Sequence, residues 1–511
     1  MNRHIVRGAV ASVVFTCTSV LVAVVQLRLI VRFLPSDLAG LWLLFLTIGS
    51  YVLFFDLGIS PTVGREMSFA LGSKLTELER AQRIGELLLT LRRMVRIIAA
   101  GASAFSLIIG EFLLLSSPYR DNRALQLSWA IFSLGAGLNL LAGAGFTGLF
   151  GLGRVATEKL LRSISLAIGL SLTATALFSG FGVVGLSIAW ASQGIVSMAL
   201  AWFYLRRSLP VPLPGLVRPR TALAKKLLAP SLKLAFIQLG AILILQSANP
   251  LIAIMIGTSV IPAYEAISKI AATLMTLALL IVNSSAPYFS ISYAAGELEE
   301  LKQLLVRNLQ VGVGLIIILA GFVAINGDRI VNLWLGSSMF AGFFVLWALL
   351  LMVLMEVHHV IFATAVLAVG QIVFVWAALI SGILNIILAV VLAPKFGLLG
   401  IACAVASAQL LTNNWYAPWF AIRYFRLPVA KLLREVWVPL LVLLASDIVL
   451  NLLLRRVVGL RQPGWFGLGL TFVVSTSAGV VLWMLLVLRH GDRLHLLRLI
   501  HGRRKLGMEQ A

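Results

Sequence analysis

The stretch Phe181-Gly182-Val183-Val184-Gly185-Leu186-Ser187-Ile188-Ala189-Trp190-Ala191-Ser192 recurs as Phe396-Gly397-Leu398-Leu399-Gly400-Ile401-Ala402-Cys403-Ala404-Val405-Ala406-Ser407, at one offset of 215 residues. The copies agree at Phe181, Gly182, Gly185, Ala189, Ala191 and Ser192. Further along, Trp202-Phe203 and Arg206 return as Trp419-Phe420 and Arg423, and Leu209-Pro210 as Leu427-Pro428. Small apolar residues inflate the likeness of any two membrane segments, but ordered matches over about thirty residues point to an internal duplication.

Both copies lie in apolar runs, as does most of the chain. Of its 511 residues 60% are hydrophobic and only 12% charged, and mean hydropathy is +1.02. Soluble chains carry about 25% charged residues, so this composition excludes a soluble multidomain protein. Hydropathy places about fourteen spans, each of about 20 residues, and leaves no room for a sizeable soluble domain. The net charge of +22 would suggest nucleic acid in a soluble chain. Here the basic residues cluster between apolar runs, no aromatic-basic nucleic-acid motif is present, and nucleic acid is not an expected partner. With the N-terminus inside, 31 of the 41 Lys and Arg fall on cytoplasmic connectors or on the two ends. This bias predicts cytoplasmic termini. The opening Met-Asn-Arg-His-Ile-Val-Arg and the apolar run behind it imitate a secretory signal, but no small-residue cleavage site follows, and the segment reads as an uncleaved first span. Cys17 and Cys403 sit inside apolar runs and say nothing about redox compartment.

The duplicated segments fall on spans five to six and eleven to twelve. That even separation gives both the same orientation in the bilayer, a parallel repeat with its pseudo-two-fold axis along the membrane normal. The expected fold is all-α and polytopic, with a six-helix lobe over 1–210 and a second over 211–430. Two extra helices, thirteen and fourteen, occupy 431–488, and a basic cytoplasmic tail covers 489–511. The proline-broken run Leu209 to Pro219 reads as the linker between lobes, and the mixed-charge run Lys74 to Arg83 as a surface helix. The tail alternates leucines with basic residues, as an interfacial helix on an anionic leaflet would. Paired lobes of this kind suit alternating access, in which a central cleft opens to one side at a time.

Several further segments resemble the multidrug/oligosaccharidyl-lipid/polysaccharide (MOP) flippase superfamily, and within it the polysaccharide transporter branch that includes O-antigen flippases. They are Phe33-Leu34-Pro-Ser-Asp-Leu-Ala-Gly40-Leu-Trp42, Phe55-Asp56-Leu-Gly58-Ile-Ser-Pro61-Thr-Val-Gly-Arg65, Ile330-Val-Asn-Leu-Trp334-Leu-Gly336 and the repeated Phe-Gly-x-x-Gly. The similarity covers about residues 5 to 430. The resemblance implies a bacterial inner-membrane carrier, not an enzyme, that moves undecaprenyl-pyrophosphate-linked oligosaccharides to the periplasmic leaflet for lipopolysaccharide or exopolysaccharide synthesis. It also implies membrane lipids and glycan polymerase or synthase components as partners, and no cofactor.

A pyrophosphate-linked head group loses its hydration in hydrocarbon unless a cavity supplies cations and hydrogen-bond donors. By span position the resemblance assigns phosphate contacts to Arg28 and Lys269, with Arg32 four residues from Arg28 on the same helical face. The competing readings are snorkelling for Arg28 and Arg32, and a pair between Lys269 and Glu265, the latter also a coupling or gating candidate. Gln246, Ser247, Asn249 and Pro250 interrupt span seven and suit a hinge or a sugar-binding face. Glu356 and His359, three apart on span ten, suit proton coupling or an interhelical hydrogen bond, while His358 points elsewhere. Asp56 is a gating candidate, Arg65 a topology anchor, and Asp447 with Asn451 a pair internal to the extra helices. A Glu-x-x-His pair alone does not make a metal site, and none is expected. Two other functions compete. A cation-coupled drug exporter needs acidic residues in its cavity, and a membrane enzyme of glycan polymerisation or ligation needs positioned acids, bases or metal carboxylates.

Overall fold

The computed structural model describes residues 3–56, 58–73, 76–115, 119–209, 221–457 and 464–488, and no strand occurs among them. The linker core 210–220 and the tail 489–511 lie outside the described residues. The helices are α1 (Arg3–Phe33), α2 (Ser36–Phe54), α3 (Ile59–Gly72), α4 (Glu77–Leu115), α5 (Arg123–Gly151), α6 (Val155–Phe178), α7 (Gly182–Ser208), α8 (Thr221–Leu245) and α9 (Ala248–Met255). They continue with α10 (Ile261–Ala294), α11 (Leu298–Leu335), α12 (Phe343–Ala368), α13 (Val375–Phe396), α14 (Leu398–Leu411), α15 (Asn413–Tyr424), α16 (Val429–Leu432), α17 (Val438–Val457) and α18 (Gly464–Leu486).

Among the described residues eleven helices are long and apolar enough to cross a bilayer, and the end of α8 with α9, bent by 42° at the break, is apolar enough to make a twelfth if the two count as one span. The other two expected spans take shorter forms. One is the apolar helix Ser36–Val52. The other is α14 and α15, broken at Thr412, whose φ of −125° and ψ of −84° are not helical. Of the expected surface helix at Lys74 to Arg83, Lys74 and Leu75 lie outside the described residues, and the charges from Glu77 to Arg83 open α4, a continuous helix of 39 residues, instead of forming a separate one. At 1.5 Å per residue that helix is about 58 Å long, so its charged turns extend beyond a hydrocarbon core of about 30 Å. The expected second span also divides, because Gly58 takes a left-handed φ of 69° between α2 and α3.

The repeated Phe-Gly-x-x-Gly has one structural cause in both copies. Gly182 and Gly397 stand at the α6–α7 and α13–α14 turns with φ of 54° and 57°, a region where a side chain is strained. The second glycine admits the helix end before it. A Cβ on Gly185 would lie 2.5 Å from Phe181 Cβ, and one on Gly400 would lie 2.4 Å from the Leu392 carbonyl oxygen. The motif therefore encodes a tight helical hairpin, used twice.

The chain forms two compact units, Met1–Pro262 and Ala263–Ala511. This division follows contacts, whereas the expected lobes follow the sequence repeat. In the first unit α5 is central. Its glycines let α7 approach closely, with a Cβ on Gly135 falling 2.8 Å from Ala191 Cα and one on Gly145 falling 2.8 Å from Ala201 Cβ. Trp42, Phe45, Trp129, Phe132 and Trp190 pack beside this seam, with Phe132 stacked on Trp190 at 5.4 Å. In the second unit α11 is central, α17 and α18 are each bonded to it, and a further set of bonds joins α17 to α18. Trp483 Nε1 donates to the Gln310 carbonyl at 2.9 Å, and Arg455 grips Asp328 through both Nη atoms at 3.0 and 2.7 Å. Between these, Asn451 Nδ2 donates to Asp447 Oδ2 at 3.1 Å and Ser475 Oγ to Asn451 Oδ1 at 2.7 Å. Asp447 and Asn451 thus pair within the extra helices, as the sequence suggested, and Gly321 of α11 leaves the space that Asp447 fills.

Candidate transport site

In the first unit the break between α8 and α9 is held against α2. Tyr51 Oη donates to the Gln246 carbonyl at 2.7 Å, and Asn249 Nδ2 donates to Thr47 Oγ1 at 2.8 Å. Farther along, Gly40 abuts the turn after α9, and a Cβ there would overlap the Thr258 carbonyl oxygen at 1.7 Å. Gln246 and Asn249 are therefore joined to span two. The donor of the first bond is Tyr51 and the acceptor of the second is Thr47, and sequence reading singled out neither.

Beside this contact α2, α4, α5, α9 and the turn Thr258–Val260 enclose a cavity of about 1060 Å³. Phe45, Phe55, Phe105 and Trp129 contribute its aromatic wall, and Asp37 is the one charged residue among those lining it. The size is at the upper end for small-molecule sites. Arg28 and Arg32 do not line it. Both are exposed on α1, a helix with no acidic residue, and neither pairs with a carboxylate among the described residues. The Arg32 guanidinium lies 5.8 Å from the Phe33 ring centroid. Asp56 caps α3 instead of reaching another helix: its carboxylate accepts from Ser60 N at 3.1 Å and Ser60 Oγ at 2.7 Å.

The second unit holds Lys269 and the Glu356 cluster. Lys269 Nζ is 3.4 Å from Glu265 Oε2, one turn away, and 40% of its side chain stays exposed. On α12 the two histidines diverge. His359 Nδ1 is 2.8 Å from the Asn413 carbonyl at the α14–α15 break, while His358 Nε2 accepts from Trp437 Nε1 at 3.1 Å. Glu356 Oε2 and both side-chain amide atoms of Asn414 are buried without a hydrogen-bond partner among the described residues. A buried carboxylate and a buried unsatisfied amide are costly in a membrane segment unless they meet a polar partner. No group of three or more His, Cys, Asp and Glu suited to a metal occurs among the described residues.

No family model and no curated protein matches the chain. Solved structures do. The lipid II flippase MurJ in an inward closed conformation is similar over 93% of this chain and 98% of its own, with a TM-score of 0.65 and 14% identity. An inward-facing multidrug resistance MATE family transporter of the MOP superfamily is similar over 83% of this chain and 98% of its own, with a TM-score of 0.63 and 13% identity. A MOP superfamily transporter from Pyrococcus furiosus Vc1, described as having a binding pocket of reversed polarity, is similar over 84% of this chain and 96% of its own, with a TM-score of 0.59 and 15% identity. These likenesses, over most of the chain at 13 to 15% identity, give it the fold of MOP-type transporters such as MurJ and the MATE proteins.

Proposed function

We propose that the chain is a flippase that carries an anionic lipid-linked oligosaccharide, of the undecaprenyl-pyrophosphate kind, from the cytoplasmic to the periplasmic leaflet by alternating access. In this reading it crosses a bacterial inner membrane fourteen times with both termini cytoplasmic and serves cell-surface polysaccharide synthesis beside glycan polymerase or synthase components. The observation that carries the reading is electrostatic. The first helix presents Arg28 and Arg32 with no carboxylate of its own and none paired to them among the described residues, which favours an anion over a cation as cargo. A likeness to the MurJ flippase that spans 93% of the chain, against 83% for a MATE protein, is consistent with α17 and α18 belonging to the working fold. Lys269, Gln246 and Asn249 complete the proposed substrate contacts, and Glu356 with His359 the proposed coupling pair.

One observation favours a second reading. The aromatic cavity with Asp37 as its single charge suits an organic cation, which an exporter of the same superfamily would carry. Equilibrium binding to the purified full-length chain separates the two. The flippase reading expects saturable binding of a polyprenyl-pyrophosphate glycan and none of cationic dyes. Dye binding that disappears in Asp37→Asn, without glycolipid binding, would establish the exporter instead.

A further inference from the structure

Arg426 is the one non-glycine residue among the described residues with a positive φ, 51°. It follows the end of α15, and the next residue, Leu427, closes the helix by donating its N–H to the Ile422 carbonyl at 2.9 Å. This is the helix-ending position that glycine usually fills, because a Cβ in the left-handed region is crowded. Such a conformation persists only where the surrounding structure holds it, and it clusters at binding sites and ligand clamps.

Arg426 lines a recess of about 470 Å³ together with Lys302, Lys431 and Glu299. An adjoining recess of about 310 Å³ shares Val306 and Lys431 and adds Arg307 and Glu300. Four cations thus face two carboxylates. Glu299 is already engaged by Lys302 Nζ at 2.7 Å, with 74% of its side chain exposed, and Arg426 forms no ion pair among the described residues. The floor is apolar, from Val306, Leu427 and Leu432. The helix leading to the recess is aromatic: Trp415 and Trp419 are exposed, the Arg423 guanidinium lies 5.2 Å from the Trp419 ring centroid, and Tyr424 Oη is 2.9 Å from Tyr293 Oη. Trp and Tyr collect at the level of lipid head groups, and basic recesses between helices at that level suit phosphate diesters.

From this we infer that the recess is a binding site for the phosphate of an anionic phospholipid head group, with Arg426 and Lys431 as its principal partners and Lys302 beside them. The site is independent of the transported cargo. A guanidinium can meet two phosphate oxygens at once, and the apolar floor accepts the glycerol and upper acyl carbons.

The test is thermal unfolding and lipid titration of the purified full-length chain with phosphatidylglycerol, phosphatidylcholine or inorganic phosphate. Phosphatidylglycerol should raise Tm well above the effect of the other two. Arg426→Gly should start from a higher Tm, because strain is relieved, yet bind phosphatidylglycerol roughly fivefold more weakly. Lys431→Gln should show the same loss of binding without the higher starting Tm. Unchanged phosphatidylglycerol binding in both variants, or equal stabilisation by phosphatidylcholine, would overturn the site. Equal protection by inorganic phosphate would overturn its assignment to a lipid, and a lower starting Tm in Arg426→Gly would remove the strain argument.

Discussion

Arg28 is exposed on α1 and unpaired among the described residues, so its removal has little to disturb in the fold. Arg28→Ala should change stability by no more than about 0.5 kcal/mol, the range of ordinary surface changes, while abolishing translocation. Thermal unfolding and a translocation assay on one preparation read both quantities. Gly40 is the opposite case: Gly40→Ala must push the Thr258 backbone away from α2 and should cost about 1 to 3 kcal/mol. If Glu356 couples transport to protons, Glu356→Gln should flip cargo at a rate that no longer responds to an imposed pH gradient. At this scale the sequence was informative where partners are local. The pair of Glu265 and Lys269 and the shared face of Glu356 and His359 follow from helical spacing. The contact of His359 with the Asn413 carbonyl does not, because that carbonyl is exposed by a helix break 54 residues away. The aromatic cavity is illegible in sequence for a similar reason, since Phe45, Phe105 and Trp129 meet only through tertiary packing.

Among the elements, the duplicated hairpin was the most legible. Its first glycine is needed for a left-handed turn and its second for a close approach, and both demands leave a mark in sequence. Gly182→Ala and Gly397→Ala should each lower stability by about 1 to 2 kcal/mol. Gly143→Ala is the control: it lies within α5 with nothing within 4 Å of its would-be Cβ, so the same substitution should be neutral or raise stability by about 0.5 to 1 kcal/mol. Chemical denaturation of the three variants checks the opposite signs. Helix ends were less legible than helix cores. Hydropathy follows the membrane, whereas α4 and α11 continue for 39 and 38 residues because their polar ends remain good helix formers in water.

For the molecule as a whole, membrane class, all-helical fold and superfamily likeness were readable from composition and a few ordered motifs, because twin hairpins and apolar runs dictate them. What holds the last two helices was not, apart from Asp447 and Asn451. The grip of Arg455 on Asp328 joins residues 127 apart, and neither stands out in its own helix. A double-mutant cycle on Asp328→Ala and Arg455→Ala should return a coupling of about 0.5 to 3 kcal/mol, as expected of contacting residues in one network.

Translocation itself is the most direct test of the anionic-cargo account. The full-length chain in proteoliposomes should move a polyprenyl-pyrophosphate oligosaccharide between leaflets, and Arg28→Ala and Lys269→Ala should stop that movement while inserting normally. Glycolipid movement at the native rate in both variants, or export of cationic dyes with no glycolipid movement by the unaltered protein, would contradict it.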